Sequence, residues 1–280
     1  MTSVALRDGR KAKIEEYGDP NGTPVIWLHG AMSSRLEAAF LDTHAREVGL
    51  RIVSLDRPGV GGSDSLPGHT VTGYVEDVLD VLDGLGLTHV VVGGLSNGGM
   101  YAMAVAARAP DRVLRAVPVN PSTPVADAAA RRALGRTARL SYAYTARSAD
   151  KIAARLERAQ GPGPVTAAIT RLLSPDGHLF ADPATVAWWA DNSAEALRQP
   201  GSPYIATEIR LASAHWGFDH RAVRVPVTIV SGRKDAGDSY ARIWAQELPD
   251  GRLVSIPGGH VGVVAPHAAR RLAQVLAGSP

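Results

Sequence analysis

The 280-residue chain is 45% hydrophobic and 20% charged, close to the averages of folded globular domains, so extensive disorder is excluded. It contains no cysteine, which excludes disulfides, thiolate metal ligands and a cysteine nucleophile. The net charge is +3, but the arginines are interleaved with acidic residues and form no dense basic tract with aromatic neighbours, so we expect no nucleic-acid partner.

Short β-branched runs alternate with amphipathic stretches over residues 1–120, which predicts strands and helices wound into a mostly parallel sheet. The runs 3–6 and 11–17 predict an opening hairpin. Further strands are predicted at 24–28, 50–55, 89–93 and 113–119, and helices at 35–48, 72–85 and 97–108. The fold class is therefore α/β.

The strand pattern stops at residue 121 for about a hundred residues, and alanine- and arginine-rich helical stretches replace it. Strands return at 225–230 and 253–256, with helices predicted at 239–247 and 267–276. An independent domain at 121–221 is one interpretation. An inserted helical cap is favoured, because the strands on either side need each other for burial, so 1–120 and 222–280 would form one core domain.

The strongest motif is Gly94-Leu95-Ser96-Asn97-Gly98-Gly99, which lies between a strand predicted to be buried and a predicted helix. A serine at such a sharp turn has a strained backbone, and only very small residues two positions to either side leave room for the strand and helix. The turn also places the Ser96 hydroxyl beside the start of a helix, where negative charge is stabilised. Ser96 is therefore the candidate nucleophile.

A serine hydroxyl needs a base within hydrogen-bond reach and a third group that orients the base. His260 follows the last predicted strand in Pro257-Gly258-Gly259-His260, where glycines free the backbone to turn the imidazole toward the sheet edge. Asp235 follows the strand 225–230 and is the preferred acid, with Asp238 as the alternative. A surface histidine and a helix-capping aspartate are the structural alternatives.

Backbone amides are the candidates for stabilising the negative charge that acyl transfer creates. The residues His29-Gly30-Ala31-Met32 end the strand 24–28 and would approach the serine turn. We expect the N–H groups of Ala31 and Asn97 to form this oxyanion hole.

Together these motifs resemble the α/β-hydrolase superfamily. His29-Gly30, the loop Asp56-Arg57-Pro58-Gly59-Val60-Gly61-Gly62-Ser63, the serine turn, Asp235 and His260 occur in the order of that family. The resemblance implies a doubly wound sheet, with Asp56 and Arg57 in a structural loop. It is closest to the capped group of esterases, carbon-carbon bond hydrolases, proline iminopeptidases and cofactor-free haloperoxidases. Many relatives carry methionine, tryptophan or glutamine after the nucleophile, whereas this chain has Asn97.

Aromatic residues of the predicted cap suggest a pocket for an apolar or aromatic acyl group. The candidate substrate-binding residues are Tyr142, Trp188, Tyr204 and Trp216 of the cap, together with His29, Gly30 and Met32. The alternative is that these aromatic residues fill a core, and Trp188 and its neighbour Trp189 cannot both face one way.

We therefore expect a serine hydrolase that cleaves an ester-like bond of a small molecule, with no cofactor and no metal. Two alternatives stay open. One keeps the fold but changes the reaction to carbon-carbon or amide cleavage, or to a lyase or cyclase step. The other is a hydrolase-like scaffold that binds a ligand without turning it over.

No stretch is apolar enough for a membrane span or secretory signal, so we expect a cytoplasmic protein without a membrane partner. We further expect a monomer or homodimer.

Overall fold

A computed structural model describes residues 2–134, 136–158, 175–199 and 201–279. The strands are β1 (Thr2–Ala5), β2 (Lys11–Gly18), β3 (Thr23–Leu28), β4 (Leu50–Leu55), β5 (Val90–Leu95), β6 (Val113–Val119), β7 (Val227–Gly232) and β8 (Gly251–Ile256). They form one sheet in the order β1-β2-β4-β3-β5-β6-β7-β8. β2 is antiparallel to β1 and β4, and the other neighbouring pairs are parallel. The predicted hairpin and the mostly parallel α/β sheet are confirmed.

Ten α-helices are described: α1 (Asp42–Glu47), α2 (Tyr74–Gly84), α3 (Asn97–Arg108), α4 (Ala128–Ala133), α5 (Arg136–Arg147), α6 (Ala149–Arg158), α7 (Pro183–Ala196), α8 (Gly201–Ser213), α9 (Asp238–Glu247) and α10 (Pro266–Leu276). Helices α2, α3, α9 and α10 lie within a few residues of the predicted bounds. Within the described residues, no helix combines the length and hydropathy that a bilayer span requires.

The single helix predicted at 35–48 is wrong, because the chain forms a 3-10 helix at Arg35–Leu41 and then the short α1. Tertiary hydrogen bonds set this backbone. The Arg35 N–H donates to Asp56 at 2.7 Å, and the Glu37 carboxylate turns inward to accept from the Gly30 N–H at 2.9 Å. Contacts with the residues that follow β3 and β4 therefore determine the backbone here, and the helical periodicity of the sequence does not.

Two apolar layers cover the faces of the sheet. Alternate residues of β3 point to opposite faces, so Ile26 and Leu28 pack with α2 and α3, whereas Val25 and Trp27 pack with α1 and α10. Because both faces are covered, the central strands are continuous hydrophobic runs. The carboxyl ends of β3, β5, β7 and β8 thereby reach the same edge of the sheet.

The described residues between β6 and β7 form helices α4 to α8 and short 3-10 turns. A small apolar cluster joins Ala153 of α6 and Ala206 of α8 to Val60 and Met32, which lie in the loops after β4 and β3. The helices therefore contact loops that follow two strands at their carboxyl ends. The assignment of 121–221 as an inserted cap, with 1–120 and 222–280 as one core domain, stays a prediction.

Candidate active site

Ser96 lies at the turn between β5 and α3, with φ 59° and ψ −118°. A positive φ is uncommon for a residue with a side chain, and such strain persists only where the surrounding structure imposes it. Ser96 is partly exposed, whereas every other residue from 90 to 106 is buried. The turn therefore presents one hydroxyl to the surface of an otherwise closed strand and helix.

The two glycines around Ser96 are required by close backbone contacts. A β-carbon at Gly98 would lie 1.7 Å from the carbonyl oxygen of Leu28, and one at Gly94 would lie 2.4 Å from the same oxygen. These separations are far below van der Waals contact, and the neighbouring atoms are backbone atoms that cannot move aside. The steric reason for the glycines in the motif is therefore visible in the packing of β3 against the turn.

His260 and Asp235 form a hydrogen-bonded pair, with 2.6 Å between Nδ1 of the histidine and Oδ2 of the aspartate. The His260 side chain is 31% exposed and that of Asp235 is 5% exposed, so the ring is accessible while the carboxylate is not. Asp238 instead accepts from the Ser231 hydroxyl at 2.9 Å and pairs with Arg242. The structure thus places Asp235, not Asp238, against the candidate base.

Partial burial and the neighbouring carboxylate act in opposite directions on His260. Burial lowers the pKa of His260, but the charge of Asp235 and its hydrogen bond raise it more, so the net shift is above the usual 6.5. The hydrogen bond at Nδ1 leaves Nε2 free to accept a proton. The pair therefore has the electronic arrangement of an oriented general base.

Asn120 connects the ends of three strands near these residues. The Ser96 N–H donates to the carbonyl of Val119, and the next residue, Asn120, donates from its side chain to the carbonyl of His260 at 2.6 Å. Its side-chain oxygen accepts from the Gly232 N–H at 2.7 Å, at the end of β7. The Asn120 side chain thus links the end of β7, which precedes Asp235, to the loop that carries His260, while the Ser96 turn is bonded to the adjacent backbone at Val119.

Gly30 and Ala31 lie beside the serine turn. A β-carbon at Gly30 would lie 3.7 Å from the β-carbon of Ser96, and Ala31 is partly exposed. The Gly30 N–H is occupied by Glu37, which also accepts from Trp27 Nε1 at 2.9 Å. Glu37 is fully buried, and this burial raises its pKa despite those hydrogen bonds. Glu37 therefore holds the loop in place. Its role could not be seen in the sequence, because Glu37 falls within an apparently helical stretch.

A second buried carboxylate, Glu208 of α8, binds groups from several elements. It lies 3.0 Å from the Arg57 guanidinium and accepts from Tyr101 Oη at 2.8 Å and from Asn97 Nδ2 at 3.0 Å. Burial raises the pKa of Glu208, but Arg57 and the hydrogen bonds outweigh burial and lower the pKa to about 2. Arg57 also donates to the carbonyls of His29 and Gly30. The predicted structural loop thus has a partner that the sequence did not reveal.

Three predicted substrate-binding side chains have protein partners in the interior. His29 is fully buried, with Nδ1 donating to the Gly30 carbonyl at 2.8 Å and Nε2 accepting from the Arg57 N–H at 3.3 Å. The Tyr204 hydroxyl accepts from Arg57 at 2.9 Å. Trp216 packs edge-on against Trp244 with 5.6 Å between ring centroids. These contacts fit the core-packing alternative, and a role of His29, Tyr204 or Trp216 in binding substrate stays a prediction.

The remaining predicted residues lie in different surroundings. Trp188 is partly exposed, donates from Nε1 to the Leu36 carbonyl at 3.1 Å and packs against Phe40 and Trp189. Met32 packs on the apolar cluster of α6 and α8. Tyr142 belongs to α5, but its side chain lies outside the described part of the chain. A role of Trp188 or Met32 in binding substrate stays a prediction.

Comparison with known proteins identifies the family of this fold. A family model described as alpha/beta hydrolase fold matches residues 23–264. A putative non-heme haloperoxidase of Mycobacterium phage D29 is 35% identical over 116 residues, so the match spans 41% of this chain and 41% of that relative. The bifunctional esterase/perhydrolase DCH of Acinetobacter calcoaceticus is 25% identical over 92% of each chain. A solved hydrolase from Pseudomonas aeruginosa PA01 shares the fold with a TM-score of 0.75, at 22% identity and over 99% of this chain and 98% of that one.

The chain belongs to the α/β-hydrolase family. A hydrolase is the class of enzyme that the fold and the relatives support.

Proposed function

We propose that the protein is a serine hydrolase that cleaves an ester-like bond of a small, apolar or aromatic molecule. The observation that carries the proposal is the 2.6 Å hydrogen bond between His260 and Asp235, at the sheet edge where Ser96 is partly exposed on its strained turn. Serine, histidine and aspartate in this arrangement are the groups that acyl transfer through a covalent intermediate requires.

In the proposed mechanism His260 Nε2 removes the proton of Ser96 as the hydroxyl oxygen attacks the substrate carbonyl. Asp235 stabilises the resulting imidazolium through Nδ1. The N–H groups of Ala31 and Asn97 bind the oxyanion of the tetrahedral intermediate, and a donor of this kind contributes roughly 10² to 10³ in turnover. His260 then protonates the leaving oxygen. In the second half-reaction His260 removes a proton from water as the water attacks the acyl-enzyme, and it returns this proton to Ser96 Oγ as the acid is released.

The esterase named among the relatives supports an ester substrate, since it aligns over most of both chains. The same three residues could serve amide or carbon-carbon cleavage, or a lyase or cyclase step, because fold and triad do not select the bond. A panel of esters, amides and β-diketones followed by mass spectrometry separates these reactions. We expect that the esters will need less enzyme for measurable turnover than the amides or the β-diketones.

Labelling by a fluorophosphonate tests the proposal directly and distinguishes an enzyme from a non-catalytic binding protein. We expect one molecule of probe per chain, attached to the Ser96 peptide, because labelling needs an activated hydroxyl. Ser96→Ala should abolish labelling, whereas the exposed serine variant Ser65→Ala should label like the natural chain. An unlabelled natural chain, or labelling that survives in Ser96→Ala, would contradict the proposed nucleophile.

The pH dependence of hydrolysis should report the environment of His260. Only the neutral imidazole accepts the Ser96 proton, and the pKa of His260 is raised by Asp235, so kcat/KM should fall on the acid side with an apparent pKa above 6.5. In Asp235→Asn the raising charge is gone, and the residual activity should fall at a lower pH. Rate profiles between pH 5 and 9 with a short activated ester measure both curves, and coincident acid limbs would argue against the pairing.

A further inference from the structure

Asp176 holds the backbone on both sides of His260. One carboxylate oxygen accepts from the Gly259 N–H at 2.7 Å, and the other accepts from the Val261 N–H at 3.0 Å. Asp176 is fully buried and begins the short 3-10 helix Asp176–Ala181, within the segment between β6 and β7. A residue of the helical segment therefore binds the two amides that flank the candidate base.

The opposite side of the same peptide is held by Asn120. Its Nδ2 donates to the His260 carbonyl at 2.6 Å and approaches the Gly259 carbonyl at 3.3 Å. Asp176 thus accepts from the N–H groups of this loop while Asn120 donates to its carbonyl groups. The two side chains together bind the N–H groups of Gly259 and Val261 and the carbonyl of His260.

The loop needs such restraint because its sequence is permissive. Gly258 has φ 95°, and the glycines at 258, 259 and 262 contribute no side chains that could pack and hold the backbone. They also leave the space that Asp176 occupies, since a β-carbon at Gly258 or Gly259 would lie 2.9 or 3.0 Å from an oxygen of Asp176. A glycine loop and a buried carboxylate are therefore fitted to each other.

We propose that Asp176 is a positioning residue for His260, so that the segment between β6 and β7 contributes to catalysis through the backbone of the base. This inference rests on the proposed function, in which His260 is the base. Asp176 also acts electrostatically: burial lowers the pKa of His260, Asp235 raises it, and the Asp176 charge raises it further. We call the two hydrogen bonds between Asp176 and the loop the clamp. Loss of the Asp176 charge should appear in the pH profile, and loss of the clamp should appear in kcat.

Asp176→Asn is the sharpest variant, because it keeps the shape but directs an NH₂ group at one of the two amides. We expect kcat for an activated ester to fall about 10- to 100-fold, since small displacements of a catalytic group carry costs of this size. KM should stay within about twofold, and the acid limb of kcat/KM should move to lower pH. Asp191→Asn is the matched control, because Asp191 is an exposed carboxylate on α7 and its loss should leave kcat, KM and the acid limb unchanged.

A second measurement keeps the inference separate from the proposed function. The Nδ1–H proton of His260, hydrogen-bonded to Asp235, should give a downfield NMR resonance that shifts or broadens in Asp176→Asn but not in Asp191→Asn. If Asp176→Asn folds poorly, Asn120→Gly provides a second variant, because glycine suits the φ of 40° at position 120. It should perturb the same resonance. An active natural chain with unchanged kcat, pH profile and resonance in Asp176→Asn would overturn the inference. A natural chain without Ser96 labelling would instead overturn the proposed function, and the resonance would still test the clamp.

Discussion

Ser96→Ala and His260→Ala are each expected to lower kcat for a short activated ester by about six orders of magnitude, and Asp235→Asn by about four. The three side chains act as one unit, because Asp235 orients His260 and His260 activates Ser96. Combining the substitutions should therefore add little to the loss in Ser96→Ala alone. Single-turnover and steady-state kinetics with purified variants measure these ratios.

The matched control for this set is Asp238→Asn, because Asp238 lies close in sequence but binds Ser231 and Arg242 instead of His260. We expect its kcat to stay within about tenfold of the natural chain. If Asp238→Asn lost as much activity as Asp235→Asn, the assignment of the acid would have to be reversed. Near-full activity in Ser96→Ala would remove the nucleophile from the mechanism altogether.

Glu208→Gln is expected to lower the free energy of unfolding by about 3–5 kcal/mol, because it leaves the buried Arg57 guanidinium without its counter-charge. The same change should reduce turnover. Arg57 holds the carbonyl of Gly30, and Glu208 holds the side chain of Asn97, so the pair supports both proposed halves of the oxyanion hole. Urea denaturation at pH 7 and kcat on the same samples measure the two effects.

Glu16→Gln provides the control, since Glu16 pairs with Arg51 at 2.6 Å but on the surface, where such a pair contributes about 0–1 kcal/mol. Adding Arg57→Met to Glu208→Gln should recover part of the lost stability, because the unpaired charge is then removed. The pH dependence gives a further check. With the pKa of Glu208 lowered from 4.5 to about 2, its stabilisation is complete above pH 4.5 and is lost as the pH falls toward 2. Glu208→Gln should lack this part of the slope, and an unchanged acid slope would contradict the assignment.

The order of strands and the turns at their ends could be predicted because those features are local. Buried parallel strands are continuous apolar runs, and the serine turn has its glycines at fixed spacing. The bounds predicted for β4, β6 and α3 match the structure at both ends. The parallel arrangement places the carboxyl ends of neighbouring strands at one edge of the sheet. The location of Ser96, Asp235 and His260 at that edge could therefore also be predicted.

The supporting carboxylates could not be predicted in the same way. Glu208 binds Asn97 across 111 positions of sequence, and Asp176 binds Gly259 across 83, so no local pattern connects the partners. Glu37 was hidden for a different reason, because its spacing suits a helix that tertiary contacts replace. The aromatic residues of the cap gave the weakest prediction, since burial in a core and contact with a ligand favour the same residue types.

The side chain of Asn97 has consequences for how the sequence can change. It donates to Glu208 and accepts from the Ser122 hydroxyl at 2.6 Å, so both ends of its amide are used. Methionine at this position would remove one donor from the buried Glu208 carboxylate and the acceptor of the buried Ser122 hydroxyl at once, so compensating changes would be needed at both distant positions. Position 97 should therefore covary with 122 and 208 among descendants of this gene, and an engineer who grafts a commoner residue there should exchange all three together.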